Sequence, residues 1–171
     1  RYIVYENSGS KTGRDLWLLL LAGDRQPTPF LQSEFNEQHA HFSPDGKWIA
    51  YSSDESGTAE VYVQSFPASG GKKRISTNGG TEARWRQDGK ELYYVSGKEL
   101  MAATVNSGVQ FEANAARALF DQGTTTLMAA AYRSSFAVTP DGQRFLIKAV
   151  VDETGSAPFS VVTNWTTGLR K

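Results

Sequence analysis

The chain of 171 residues contains no cysteine, which excludes a disulfide scaffold, a thiolate nucleophile and any zinc site built on cysteine sulfur. It also lacks a charge of predominant sign. Lys and Arg number 18 against 18 for Asp and Glu, so no long-range field draws the chain to nucleic acid or anionic lipid. Its most apolar stretch, Leu16 to Ala22, is seven residues long, whereas a helix crossing a bilayer needs about 20. That stretch reads as a buried strand, and direct membrane insertion is not expected. Apolar stripes at helical spacing are missing too, which excludes a helical solenoid. The one exception is Phe111 to Leu119, whose alanines predict a turn of helix.

Catalytic signatures are equally scarce. There is no Gly-x-Ser-x-Gly elbow, and neither of the two histidines has a motif partner for a nucleophilic serine. The segment Gly9-Ser10-Lys11-Thr12-Gly13 has the Lys-Thr pair of a phosphate loop without its glycine spacing, and it leads into a strand, so it reads as a hairpin loop. No catalytic residue, cofactor or metal is therefore expected. The chain opens on Arg1 with no basic-then-apolar leader, as expected of a truncated or processed product.

What is present is a repeat. Phe42-Ser43-Pro44-Asp45-Gly46, Trp85-Arg86-Gln87-Asp88-Gly89 and Val138-Thr139-Pro140-Asp141-Gly142 share one pattern, with aspartates at 45, 88 and 141. Pro presets φ for a turn, Asp tolerates the next position, and Gly supplies the positive φ that closes a hairpin. Each copy is followed by a short apolar run: Trp48 to Tyr51, Leu92 to Val95 and Phe145 to Ile147. Tyr2 to Tyr5 matches them without its turn. Such runs do not alternate, which suits a strand covered on both faces. A third element begins at Asp15, Glu60 and Glu99, with an acid-free counterpart near Phe159 to Trp165. A fourth lies at Pro29 to Leu31, Arg74 to Ser76 and Ala118 to Phe120.

Four short strands every 40 to 50 or so residues is the period of propeller blades. The expected fold is all-β, a partial β-propeller of just under four antiparallel four-stranded blades. Residues 1–171 form a single segment, with blades near 1–33, 39–77, 82–121 and 133–165. The first blade lacks its inner strand and the last its outer one, so the exposed ends are expected to drive self-association into a homo-oligomer.

At Phe42 to Tyr51 and its two weaker copies the sequence resembles the TolB-type, WD-like propeller repeat. That repeat occurs in bacterial periplasmic TolB, in prolyl-oligopeptidase-like enzymes and downstream of some bacterial serine/threonine kinases. The ending Val161 to Leu169 is similar to the tail of bacterial proteins carrying this repeat, some with an N-terminal kinase domain. The resemblance implies a non-catalytic protein- or peptide-binding module, and a periplasmic or extracytoplasmic setting. The alternative is a sensor or regulatory segment of a larger enzyme, such as a kinase or a prolyl-oligopeptidase-like peptidase.

Aligning the inner strands on their turns puts Ala40, Phe42, Ala83, Trp85, Phe136 and Val138 on one face. His39, His41, Ser43, Glu82, Arg84, Arg86, Ser135, Ala137 and Thr139 fall on the other. Inner strands line the channel of a propeller, so His39, His41, Arg84 and Arg86 are the expected ligand-binding lining. Two histidines make an incomplete metal site, because zinc needs at least three protein ligands and the nearest acids, Glu37 and Asp45, are expected in loops. The turn aspartates are assigned to backbone hydrogen bonds, not calcium. The Asn164-Trp165-Thr166 sequon is discounted as a chance match beside a strand. Gln122 to Ser134 is the expected variable contact loop.

Overall fold

The computed structural model of the chain describes residues 1–9, 12–108, 110–121, 134–148 and, for the backbone, 161–163. Among the described residues there is no helix, and the strands form four antiparallel sheets. The first contains β1 (Tyr2–Gly9), β2 (Gly13–Leu20) and β3 (Pro27–Leu31) in that order. In the second, β4 (Glu37–Phe42), β5 (Trp48–Ser53), β6 (Glu60–Ser65) and β7 (Lys73–Arg74) follow one another. The third joins β8 (Thr81–Trp85), β9 (Glu91–Ser96) and β10 (Glu99–Ser107), with β11 (Phe111–Ala113) and β12 (Arg117–Asp121) both paired to β10. In the fourth, β13 (Phe136–Val138), β14 (Arg144–Ile147) and β15 (Val161–Thr163) lie side by side.

The helical turn expected at Phe111 to Leu119 is replaced by β11 and β12. The nine-residue β10 offers Val105 to Ser107 to β11 and Glu99 to Ala102 to β12, and this pairing overrides the helical preference of the alanines. Glu37, expected in a loop, begins β4 opposite Ser53. Of the Gln122 to Ser134 connection, only Ser134 is among the described residues. Most of the stretch between β14 and β15, and the Asn164 sequon, also lie outside them.

The repeated turns share one mechanism. The Asp45 carboxylate accepts from the Lys47 amide at 3.1 Å, Asp88 from Lys90 at 3.0 Å and Asp141 from Gln143 at 3.0 Å. The residue two before each aspartate donates to it: the Ser43 hydroxyl to Asp45 at 2.6 Å, the Arg86 Nε to Asp88 at 2.7 Å, and the Thr139 hydroxyl to Asp141. These bonds hold Asp88 and Asp141 below the usual carboxylate range. Gly46, Gly89 and Gly142 close the turns at φ of 72°, 72° and 73°, in the left-handed region where a side chain is disfavoured. Gln87, which stands where the other copies have Pro, uses the amide that Pro lacks: its N–H donates to the Pro140 carbonyl of the next turn at 3.3 Å.

Packing between sheets makes the core. On β5, Ile49 and Tyr51 face the first sheet and meet Leu16 and Leu18, while Ala50 faces the third and meets Ala83 and Leu92. On β9, Leu92 and Tyr94 face the second sheet, and Tyr93 and Val95 face the fourth, where Phe136, Phe145 and Ile147 close the third cluster. Tyr51, Tyr93 and Phe145 are fully buried, each burial contributing on the order of 2 to 3 kcal/mol. The unbroken apolar runs of β5 and β9 therefore mark strands covered on both faces, as the sequence suggests, whereas those of β1 and β14 are covered on one face and leave Ile3 and Leu146 exposed.

The tips also touch across sheets. A side chain added at Gly142 would meet the Tyr93 hydroxyl and, at 2.7 Å, the Arg86 side chain, whereas one added at Gly46 meets nothing within 4 Å. Gly46→Ala is thus expected to lose about 1 kcal/mol from the left-handed backbone alone. Gly142→Ala is expected to lose a further ~1 to 3 kcal/mol from overpacking. Urea denaturation of the two variants measures the difference, and equal losses would contradict the tip contact.

Candidate functional site

The inner strands β4 and β8 each carry one extra residue. Between Gln38 and His41 the register slips so that His39 and Ala40 together oppose Tyr51; between Thr81 and Arg84, Glu82 and Ala83 oppose Tyr94. The first residue of each bulge is left-handed, with φ of 55° at His39 and 56° at Glu82. These two residues are 43 positions apart (82 less 39), the same spacing as the first two turn aspartates (88 less 45). Bulges re-aim side chains next to sites. Here they break the simple alternation from which the channel face was read.

Two carboxylates fasten these inner strands to their neighbours. Glu6 Oε1 on β1 accepts from the His39 amide at 2.7 Å, and Glu82 Oε2 accepts from the Ser135 amide at 2.6 Å and the Ser135 hydroxyl at 2.9 Å. The Trp85 indole N–H donates to the His41 carbonyl at 3.2 Å, tying the second sheet to the third. Where the sheets converge, a cavity of about 290 Å³ opens, lined by residues of the first three sheets and by Ser134 beside the fourth. Its titratable lining includes Glu6, His39, His41 and Arg84.

Three of the four expected lining residues thus come together, and Arg86 takes another place. Arg86 occupies the turn position held by Ser43 and Thr139 in the other copies, and pairs with Asp88 and, at 2.7 Å, with Glu91. Glu91 also receives the buried Tyr93 hydroxyl at 2.7 Å and Arg117 at 3.1 Å. The Asp88 hydrogen bond, reinforced by the charges of Glu91 and Asp88, pushes the Arg86 pKa up. Ser43, expected beside the histidines, is buried in its turn, where it accepts from the Trp48 amide at 3.0 Å. Glu6, Tyr5 and Ser134 line the cavity without having been expected there. Glu6 lies on β1, whose apolar run carries no Pro-Asp-Gly turn to number it against, so no motif offset pointed to it.

Arg84 is half-buried and donates from Nη1 to the Ala83 carbonyl at 2.9 Å, but makes no ion pair among the described residues. Burial lowers its pKa, opposed by the charge of Glu82. His39 Nδ1 is buried with no hydrogen-bond partner among the described residues. Desolvation pushes the His39 pKa down, with Glu6 and Glu82 opposing and Arg84 and Arg14 adding to the fall. His41 has an exposed edge at the rim but is crowded on its other sides. That crowding, with the charges of Arg84 and His39, brings its pKa down to about 4. At neutral pH the cavity therefore presents one guanidinium and two neutral imidazoles, beside the Glu6 carboxylate that is held on the His39 amide. Among the described residues, no group of three or more His, Cys, Asp or Glu is placed to hold a metal ion.

Stacked antiparallel sheets converging on a polar axis define a β-propeller segment. Comparison with solved structures gives the same fold. TolB from Acinetobacter baumannii superposes with a TM-score of 0.50 at 17% identity, over 95% of this chain and 50% of that one. A protein assigned as TolB from Agrobacterium tumefaciens gives 0.52 at 15%, over 66% and 44%. One assigned as a 6-phosphogluconolactonase from Bacteroides uniformis gives 0.55 at 20%, over 86% and 43%. The chain spans about half the length of these structures. No family model matches the chain. No curated protein matches it either.

The lowered histidines carry a pH signature. Because the folded pKa of His41 lies below its unfolded value of 6.5, the neutral ring contributes stability that is complete above about pH 6.5 and is lost as pH falls toward 4. His39 acts in the same direction. NMR titration should place His41 near pH 4 in the native protein, and Arg84→Met should raise that value. His41→Gln should flatten the loss of stability across the same interval, and an unchanged acid profile would contradict the assignment.

Proposed function

We propose that the chain is a non-catalytic binding module whose axial cavity receives an acidic group of a protein or peptide. The observation that carries this reading is Arg84, a half-buried guanidinium with no ion-pair partner among the described residues, next to a buried His39 Nδ1 that is also unpartnered. Guanidinium binds carboxylate through paired, charge-assisted hydrogen bonds, and a neutral imidazole can add a third contact. About 290 Å³ is room for one side chain or a chain terminus, with the rest of the ligand lying over the rim. Glu6 and Glu82 limit the charge that can enter. Their carboxylates are held on the His39 and Ser135 amides, which leaves Arg84 as the cation facing the opening. No described side chain in the cavity is placed as a nucleophile beside a base, and among the described residues no carboxylate is hydrogen-bonded to either imidazole ring, so the arrangement supports binding without turnover. No helix among the described residues is long and apolar enough to cross a membrane.

Arg84→Ala is expected to leave the unfolding transition close to that of the parent and to weaken binding of an acid-terminated peptide by roughly tenfold or more. Isothermal titration with a peptide and its C-terminal amide checks this. Arg86→Ala, in contrast, is expected to act on stability, because it empties a turn and removes one of the three partners of the buried Glu91 carboxylate. Equal binding by the acid and the amide would remove the proposal.

A second copy of the chain is the proposed partner at the ends. Ile3 alternates with Val4, which packs on the second sheet. Leu146 lies between Phe145 and Ile147, which pack against the third. Ile3 and Leu146 therefore point away from the neighbouring sheets, and they are 45% and 49% exposed. Sedimentation velocity should show a concentration-dependent dimer that Ile3→Glu or Leu146→Glu disperses, and a monomer throughout would refute it.

A further inference from the structure

Away from the axis, the second and third sheets enclose a groove of about 920 Å³ that the axial cavity does not share. One wall is the connection from β6 to β7, where Phe66 is followed by the bare Gly70-Gly71 pair, with no heavy atom within 4 Å of where either side chain would begin. The opposite wall is the β10 to β11 hairpin, which presents Phe111 and Gln110. Trp48 forms the floor. Its indole N–H donates across to the Ser107 carbonyl at 3.4 Å, and its ring lies 5.2 Å from Phe111, so the two sheets hold the rings in place.

The charge on this groove is one-sided in a chain whose net charge is zero. Lys47, Lys72 and Lys73 line it, and no Asp or Glu does. Lys72 is paired with Glu55 and lies 5.4 Å from the Tyr62 ring centroid. Lys47 and Lys73 are exposed and make no ion pair among the described residues. Half-buried aromatic rings between free ammonium groups match a segment that alternates apolar and acidic side chains. A sugar fits less well. Its hydroxyls need planar, paired hydrogen-bonding groups, and the groove offers only Gln110, Ser65 and Ser69 as uncharged polar side chains.

We propose that this groove is a second binding site, which takes an acidic peptide segment with an aromatic or aliphatic anchor seated on Trp48, Phe66 and Phe111. The anchor supplies apolar contact, while Lys47 and Lys73 set orientation and the rate of encounter. The site does not rest on the axial cavity.

The test uses the whole chain and a short fluorescein-labelled peptide alternating glutamate with phenylalanine, followed by fluorescence anisotropy. Binding should weaken with added salt. The double variant Lys47→Glu/Lys73→Glu should bind roughly tenfold more weakly or worse, whereas Lys98→Glu, at the exposed β9 to β10 turn, should bind as the parent does. Both lysines are exposed and make no ion pair among the described residues, so the double variant should fold, as its thermal transition will show. Chemical shifts should move at the Gly70 and Gly71 amides and the Trp48 indole. The proposal is overturned by unchanged binding in the double variant, by equal binding of the glutamine-for-glutamate peptide, by equal binding of polyglutamate without phenylalanine, or by shifts confined to the axial cavity. Loss of binding in Arg84→Ala alone would assign the peptide to the axial site and likewise overturn the groove.

Discussion

Everything in this molecule depends on strands that are buried on both faces at once. The middle strands β5 and β9 have no solvent side. Ile49 and Tyr51 serve one interface and Ala50 the next, and Tyr93 and Val95 turn one way while Leu92 and Tyr94 turn the other. A sheet whose middle strand is apolar on both faces leaves one of them in water unless a neighbour covers it. Each is stable only as the cover of its neighbour, as in other repeat architectures. The consequence appears at the terminal sheets, where the same alternation leaves Ile3 and Leu146 facing outward.

The turns and strands were legible because their signals are local. A left-handed glycine, an aspartate bonding two residues ahead and an unbroken apolar run each act within a few residues, and the structure places each where the pattern requires. The bulges at His39 and Glu82 were not legible, since neither residue type announces a left-handed backbone and the slip is visible only in the pairing with Tyr51 and Tyr94. The place of Arg86 was hidden for a related reason. Alternation assigned it to the channel, but its guanidinium does the work that a hydroxyl does in the other turns. The alanines of Phe111 to Leu119 favoured helix only until β10 offered them a partner.

Two cationic features stand out in a chain with balanced charge, and they differ in character. Arg84 is recessed in a small cavity whose histidines are held neutral, so its field is little screened and its ligand must be desolvated to reach it. Lys47 and Lys73 stand free over an open aromatic floor, where water and salt moderate every contact. The first arrangement favours selectivity for one group, the second tolerance for many sequences. On the proposed reading, a single module combines a narrow reader at its axis with a broad one on its flank.

The carboxylate bonds of Glu6 and Glu82 to the amides of the following sheets bear on how such rings are assembled. Because each carboxylate accepts from a main-chain N–H, the receiving position tolerates any residue but proline, and the join between two sheets is carried by the single residue that reaches across, Glu6 in one case and Glu82 in the other.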